Sequence, residues 1–216
     1  MIYDFNSFSE KHKSRYETII NLYRELFNRS SLHNDYITLC ANQTNGDGTL
    51  SEGSELSQLL KEDFLSPEQF YGIDTDAKTI ELNLQIGLAN WVVADVYSFI
   101  VENISTVKPS IVNLDTVFYS KRLASNLLSD TLLFLTDNSE GECLVSLNVM
   151  VNNSYETHTV SSKLIKDEEE AFINQLQCNY SYKCAVKDGG WLMQDRCYLY
   201  SSTGKTVMCT YIFYRD

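Results

Sequence analysis

Residues 68–100 read EQFYGIDTDAKTIELNLQIGLANWVVADVYSFI, and the order of patterns within them decides the fold. Gln69 to Ile73 is a short apolar run that stops at Asp74. Ala77 to Gln85 has helical spacing, with Ile80 and Leu84 predicted on one face. Trp91 to Ala94 is a second β-rich run, and it stops at Asp95. Strand, helix and strand in so short a space make a βαβ unit, whose crossover helix forces the two strands to run parallel. In open α/β sheets, ligands sit beyond the carboxyl ends of the strands. Asp74 and Asp95 both belong there.

The same alternation extends outward. Toward the N-terminus, residues 9–29 predict an amphipathic helix with Ser9 as N-cap and Tyr16, Ile19, Ile20, Tyr23, Leu26 and Phe27 on its apolar face. Tyr36 to Ala41 follows as a buried strand, then the turn residues Asn42 to Thr49, then a helix from Ser54 to Leu60. Strand, small-residue loop and helix is a layout in which backbone N–H groups at a helix start hold an anion or cofactor. Gly46, Gly48 and Gly53 do not match the Gly-x-Gly-x-x-Gly spacing, and Asn-Gly and Asp-Gly also serve as plain turns.

Toward the C-terminus, Tyr97 to Val107 reads as a short helix or loop and Ser110 to Asp115 as a strand. A helix is expected within Val117–Leu128, with Leu123 and Leu127 inward, and a fifth strand at Thr131–Thr136. Residues 36–136 therefore read as a parallel β/α core, preceded by a helical segment at 1–35. Glu142 to Val151 fits helix or strand, and Asp167 to Gln177 is a helix with acids in its first turn. Tyr180–Val186, Trp191–Tyr200 and Thr206–Tyr214 read as strands joined by tight turns. The expected fold class is α/β: a Rossmann-like, doubly wound, mostly parallel sheet ending in an antiparallel hairpin. The expected organisation is one domain over 1–216, in which 137–216 supplies a helix and the antiparallel strands.

Composition narrows the function. Net charge is −12, with residues 36–108 holding three basic and eleven acidic groups. That is no footprint for tight nucleic-acid binding, although a basic protein partner fits it. No apolar run reaches the roughly 18 residues of a membrane span, and the N-terminus does not read as a signal peptide. The expected location is cytoplasmic, with the six cysteines as buried reduced thiols. No Cys-x-x-Cys pair occurs, and His12, His33 and His158 lack ligand spacing, so no metal is expected.

Taken together, residues 34–214 resemble the class I methyltransferases that use S-adenosylmethionine, in motif order. That family holds the methionine part of its cofactor on the first strand and its loop, here Ile37–Gly48, which departs from the family's glycine-rich pattern. It bonds the ribose through an acid ending the second strand, where YGIDTD places Asp74 with Asp76 beside it. It often continues with Asn, then Gly-Leu, then a strand ending in Asp, as Asn83, Gly87-Leu88 and WVVAD do here. The resemblance implies a cofactor site of Cys40, Ala41, Asn42, Asp74, Thr75, Asp95 and Val96. Asp95 would accept from the adenine amino group, and Val96 would lie against the base. It also implies an acceptor-facing set of Asn113, Asp115 and Tyr119 at the end of the fourth strand. Related enzymes acting on exocyclic amines carry Pro-Pro there, which this chain lacks.

Three functions follow as expectations. The first is methyl transfer to a nucleic-acid base, a protein or a small molecule. The second is a binding or regulatory protein that keeps the fold without catalysis. The third, a dinucleotide enzyme, is disfavoured by the missing glycine motif and the closing antiparallel strands.

Overall fold

In the computed structural model, which describes residues 9–115, 120–150, 162–194, 198–201 and 207–216, the chain divides into two units, Met1–Asn113 and Leu114–Asp216. The first opens with α1 (Ser9–Phe27), β1 (Asp35–Leu39) and α2 (Glu55–Lys61). It continues with β2 (Phe70–Asp74), α3 (Ala77–Leu84), β3 (Asn90–Val93), α4 (Val96–Asn103) and β4 (Pro109–Leu114). The second contains α5 (Lys121–Asn138), β5 (Cys143–Met150), α6 (Ser162–Cys178), α7 (Tyr180–Gly189), β6 (Leu192–Met193), β7 (Tyr198–Ser201) and β8 (Val207–Arg215).

In the first unit the strands run in the order β3-β2-β1-β4, and every pair is parallel. The chain winds outward from β1 through β3 and then returns to β1's other side. This reversal is the switch point of a doubly wound sheet. All six residues of β4 are buried, as a strand covered on both faces requires. Its Pro109 sits at the first position, where no ladder donor is lost. Tyr36 and Phe70 pair in register and stack at 5.7 Å, and Trp91 meets Phe70 edge-on at 5.5 Å. Gly72 pairs with Thr38 on one side and Trp91 on the other. A Cβ at Gly72 would overlap the Trp91 ring and stand 3.1 Å from Cys40 Sγ, so only glycine lets the indole lie flat there. On α1, Tyr16, Ile19, Ile20, Tyr23 and Phe27 are buried as the spacing predicts, and Leu22 joins them. Each such side chain contributes about 1.5–3 kcal/mol of burial.

In the second unit β8 is central: β5, β6 and β7 all pair with it antiparallel. Arg215 at its end is 6% exposed, donates to Ser139 O and Oγ at 2.5 and 2.7 Å, and lies over the Trp191 ring at 5.1 Å.

Several expectations are corrected. Thr131–Thr136 is not a strand but the middle of α5, because Ala124, Leu128, Thr131, Leu132 and Leu135 recur at helical period and are buried. Tyr180–Val186 is helix α7, not a strand; Asn179 caps its start by accepting from Tyr182 N at 3.3 Å, and Gly190 ends it at φ +66°. Lys187–Gly189, between two of the expected strands, belongs to that helix too. Trp191–Tyr200 is not continuous: β6 and β7 are separate short strands. Leu84 and Leu123 face outward, at 57% and 55% exposure, and Leu127 is half-buried. Ile80 and Asn83 take the inner face of α3. Glu142–Val151, open between two readings, forms β5. Cys178 is exposed, unlike Cys40, Cys143 and Cys209, which are buried. Tyr119, Cys197 and residues 202–206 lie outside the described residues.

Candidate functional site

The carboxyl ends of β1, β2 and β3 lie side by side, because Leu39 pairs with Ile73 and Asp74 with Val93. Asp74 closes β2. Its Oδ1 accepts from Asp76 N at 2.8 Å, making an Asx turn, and the Thr75 backbone N–H also acts on the carboxylate. Burial raises the Asp74 pKa, and the nearby Asp76 charge adds to the rise. Asp95 stands two residues past Val93 and is the N-cap of α4: Oδ1 accepts from Ser98 N at 3.0 Å and from Ser98 Oγ at 3.3 Å. Its Oδ2 is uncommitted among the described residues. Asp95 is thus fixed through one oxygen and offers the other, while Asp74 is held by the backbone N–H groups just past β2. Thr75 is exposed, and Val96 is buried beneath the first turn of α4. Asp76 caps α3 instead, accepting from Lys78 N at 3.0 Å.

Cys40, Ala41 and Asn42 lead off β1. Asn83 on α3 reaches across to them: its Nδ2 donates to Ala41 O at 3.2 Å, and its Oδ1 accepts from Gln43 N at 2.7 Å. Gln43 is buried and bonds in both directions. Its Nε2 donates to Ala41 O at 3.2 Å, and its Oε1 accepts from Leu56 N at 3.2 Å. Ser54 caps the same helix by accepting from Ser57 N. Asn42 Oδ1 accepts from Thr44 N and Thr44 Oγ1. The loop is ordered by its own side chains, not by glycine.

At the switch point, Thr38 of β1 and Asn113 of β4 pair in register. Both donate to Glu55, the first residue of α2, which is 1% exposed. Tyr36 Oη donates to Glu55 Oε1 at 2.6 Å, Asn113 Nδ2 to the same oxygen at 2.9 Å, and Thr38 Oγ1 to Oε2 at 3.0 Å. Asn113, read from the sequence as acceptor-facing, is fully buried with its amide nitrogen turned to this carboxyl group. In the second unit, Asp115 Oδ1 accepts from Asn148 Nδ2 at 3.0 Å, and Asn148 Oδ1 accepts from Thr210 Oγ1.

The structure therefore groups Cys40, Ala41, Asn42, Asp74, Thr75, Asp95 and Val96 along three adjacent strand ends. Sequence reasoning missed the parts played by Glu55 and Gln43. A glutamate in a helix's first turn reads as a dipole partner, and only the fold shows that Tyr36, Thr38 and Asn113 converge on it. Asn83 was flagged by its place in a motif, without its task.

Compared by sequence, the chain matches no protein-family model and no curated protein. Compared by structure, it is similar to the plantazolicin methyltransferase BpumL, solved in complex with SAH, at TM-score 0.53 and 12% identity over 98% of this chain and 85% of that one. The plantazolicin methyltransferase BamL, solved with a triazolic desmethylPZN analog and SAH, aligns at TM-score 0.50 and 15% identity over 97% and 86%. TrmN from Thermus thermophilus aligns at TM-score 0.52 and 10% identity over 92% of this chain and 48% of that one. At such identities the likeness establishes architecture: the chain has the Rossmann-like fold of the class I methyltransferases.

Proposed function

We propose that the chain is an S-adenosylmethionine-dependent methyltransferase acting on a nucleic-acid base, a protein or a small molecule. The observation that carries this reading is the pair Asp74 and Asp95. They sit at the ends of adjacent parallel strands, each carboxylate oriented there by backbone N–H groups of the turn that follows. Asp74 would accept from the ribose hydroxyls, as a carboxylate suits two vicinal donors. Asp95 would accept from the adenine amino group, with Thr75 and Val96 beside it. Cys40, Ala41 and Asn42, held by Asn83, would border the sulfur end. The plantazolicin methyltransferases that share the fold were solved with SAH, which supports the choice of cofactor.

Bound S-adenosylmethionine supplies an activated methyl group on a sulfonium, so the protein's task is alignment. Asp115 and Tyr119 are the acceptor-side candidates. Asn113 would act on them only by position, since its amide serves Glu55. Calorimetric titration with S-adenosylmethionine and S-adenosylhomocysteine tests the reading. Measurable heat from wild type, lost in Asp74→Ala and Asp95→Ala, supports it, and affinity unchanged in both variants refutes it.

A second reading is a binding or regulatory protein with the same fold and no transfer activity. It is favoured by the self-bonded β1–α2 loop and by the inward amide of Asn113. Radiolabelled methyl transfer from the cofactor into a cell extract would exclude it.

A further inference from the structure

The loop that in this fold meets the amino-acid end of the cofactor is here closed on itself. The backbone N–H groups of Gln43, Thr44, Asn45, Gly48, Thr49 and Ser51 all donate to acceptors within the loop or to Asn83. At the start of α2, Leu56 N donates to Gln43 Oε1 and Ser57 N to Ser54 Oγ. Gln43 and Ser54 are both buried, so these donors are screened as well as occupied. A helix start whose amides are already bonded offers an anion little.

Charge points the same way. From Tyr36 to Leu60 the chain holds the acids Asp47, Glu52 and Glu55 and no Lys, Arg or His. The Cys40 thiol, at the end of β1, registers the local field. Burial pushes it well up, and the Asp74 and Glu55 charges push it further. A ligand carboxylate brought to this loop would lose water and meet acidic groups. The ligand's sulfonium, neutral thioether or ammonium would not be penalised by those acids.

We infer that the site leaves the carboxylate of S-adenosylmethionine unanchored, so that a 5′-thioadenosine that keeps the ammonium but lacks this carboxylate binds as tightly as S-adenosylhomocysteine. This rests on the methyltransferase reading and specifies which part of the cofactor that site selects. A carboxylate received by two charge-assisted hydrogen bonds is ordinarily worth about a hundredfold in affinity. Here the contribution is absent, and selectivity lies in ribose and adenine.

The test is calorimetric titration of the full chain with S-adenosylhomocysteine and with its decarboxylated analogue, S-adenosyl-3-thiopropylamine, in wild type and Asp74→Ala. The inference expects the decarboxylated analogue to bind tighter than S-adenosylhomocysteine or within about fivefold of it, and Asp74→Ala to weaken both in parallel. S-adenosylhomocysteine binding more than about fivefold tighter overturns the inference and leaves the methyltransferase reading standing. Affinity for both ligands unchanged in Asp74→Ala overturns the inference by placing them elsewhere. No heat from either ligand overturns the methyltransferase reading itself.

Discussion

Asn83 Oδ1 accepts the backbone N–H of Gln43 at 2.7 Å, joining helix α3 to the β1–α2 loop across forty positions of sequence. The same amide donates to Ala41 O, so one side chain serves a donor and an acceptor of the loop. Asn83→Ala leaves the buried Gln43's N–H without its partner and Ala41 O with Gln43 Nε2. The expected loss is about 1–3 kcal/mol, read as a lower urea midpoint with unchanged slope. A loss below about 0.5 kcal/mol would mean that water or Gln43 itself takes over.

Glu55 gathers three donors from β1 and β4 at the switch point. Glu55→Ala removes the acceptor shared by buried groups on both strands and should cost about 3 kcal/mol or more. Tyr36→Phe removes one of those donors with its hydroxyl. The double variant Glu55→Ala/Tyr36→Phe should therefore be less destabilised than the two single losses added together. Strict additivity in chemical denaturation would show that the Tyr36–Glu55 bond is not energetically coupled.

Gly72 is required by its neighbour across the β2–β3 ladder. Gly72→Ala puts a methyl into the Trp91 ring, and strand pairing on both sides leaves the backbone little room to yield. A destabilisation of about 1–3 kcal/mol is expected. Trp91→Leu introduced with Gly72→Ala should recover part of it, since the smaller side chain vacates the contested volume. Identical melting temperatures for Gly72→Ala and wild type would contradict the packing.

What the sequence disclosed and what it hid have separate causes. Residues 36–115 alternate short β runs with periodic helices, and each acid after a strand marks its end, so the parallel half was legible along with Asp74 and Asp95. Leu132–Leu135 reads equally well as strand or helix, and only the longer register from Ala124 to Leu135 decides it. Tyr180–Val186 is rich in β-favouring aromatics, yet the Asn179 cap and Gly190 enclose a helix. The Glu55 cluster was illegible for another reason. Tyr36, Thr38, Glu55 and Asn113 span two strands and a helix, and no local pattern brings them together.

Cysteine reactivity should follow position. Burial pushes the Cys143 thiol up to about 12, and Cys40 is raised by burial and by two acids, so both remain protonated near neutral pH. Cys178 is exposed. Brief treatment of the native protein with iodoacetamide, followed by peptide mass spectrometry, should show Cys178 modified and Cys40 and Cys143 intact. Adding urea should then expose the latter two. Rapid native labelling of Cys40 would mean that the β1 end opens.

Cofactor affinity should depend on pH through Asp74. Its pKa is raised above that of an ordinary aspartate, chiefly by burial and further by the Asp76 charge. For folding, the raised value means that Asp74's stabilising contribution is present below the unfolded pKa and is lost as pH rises through the folded one. For binding the sign reverses, because ribose hydroxyls need the carboxylate as acceptor. Affinity for S-adenosylhomocysteine should therefore fall as pH drops through that raised value, at a higher pH than an ordinary aspartate would give. Asp74→Asn should weaken binding about 10- to 100-fold near neutral pH and remove that pH dependence, since an amide does not titrate. Titrations across mildly acidic pH in both proteins check this. A pH profile unchanged by Asp74→Asn would assign the dependence to another group and separate Asp74 from the ribose.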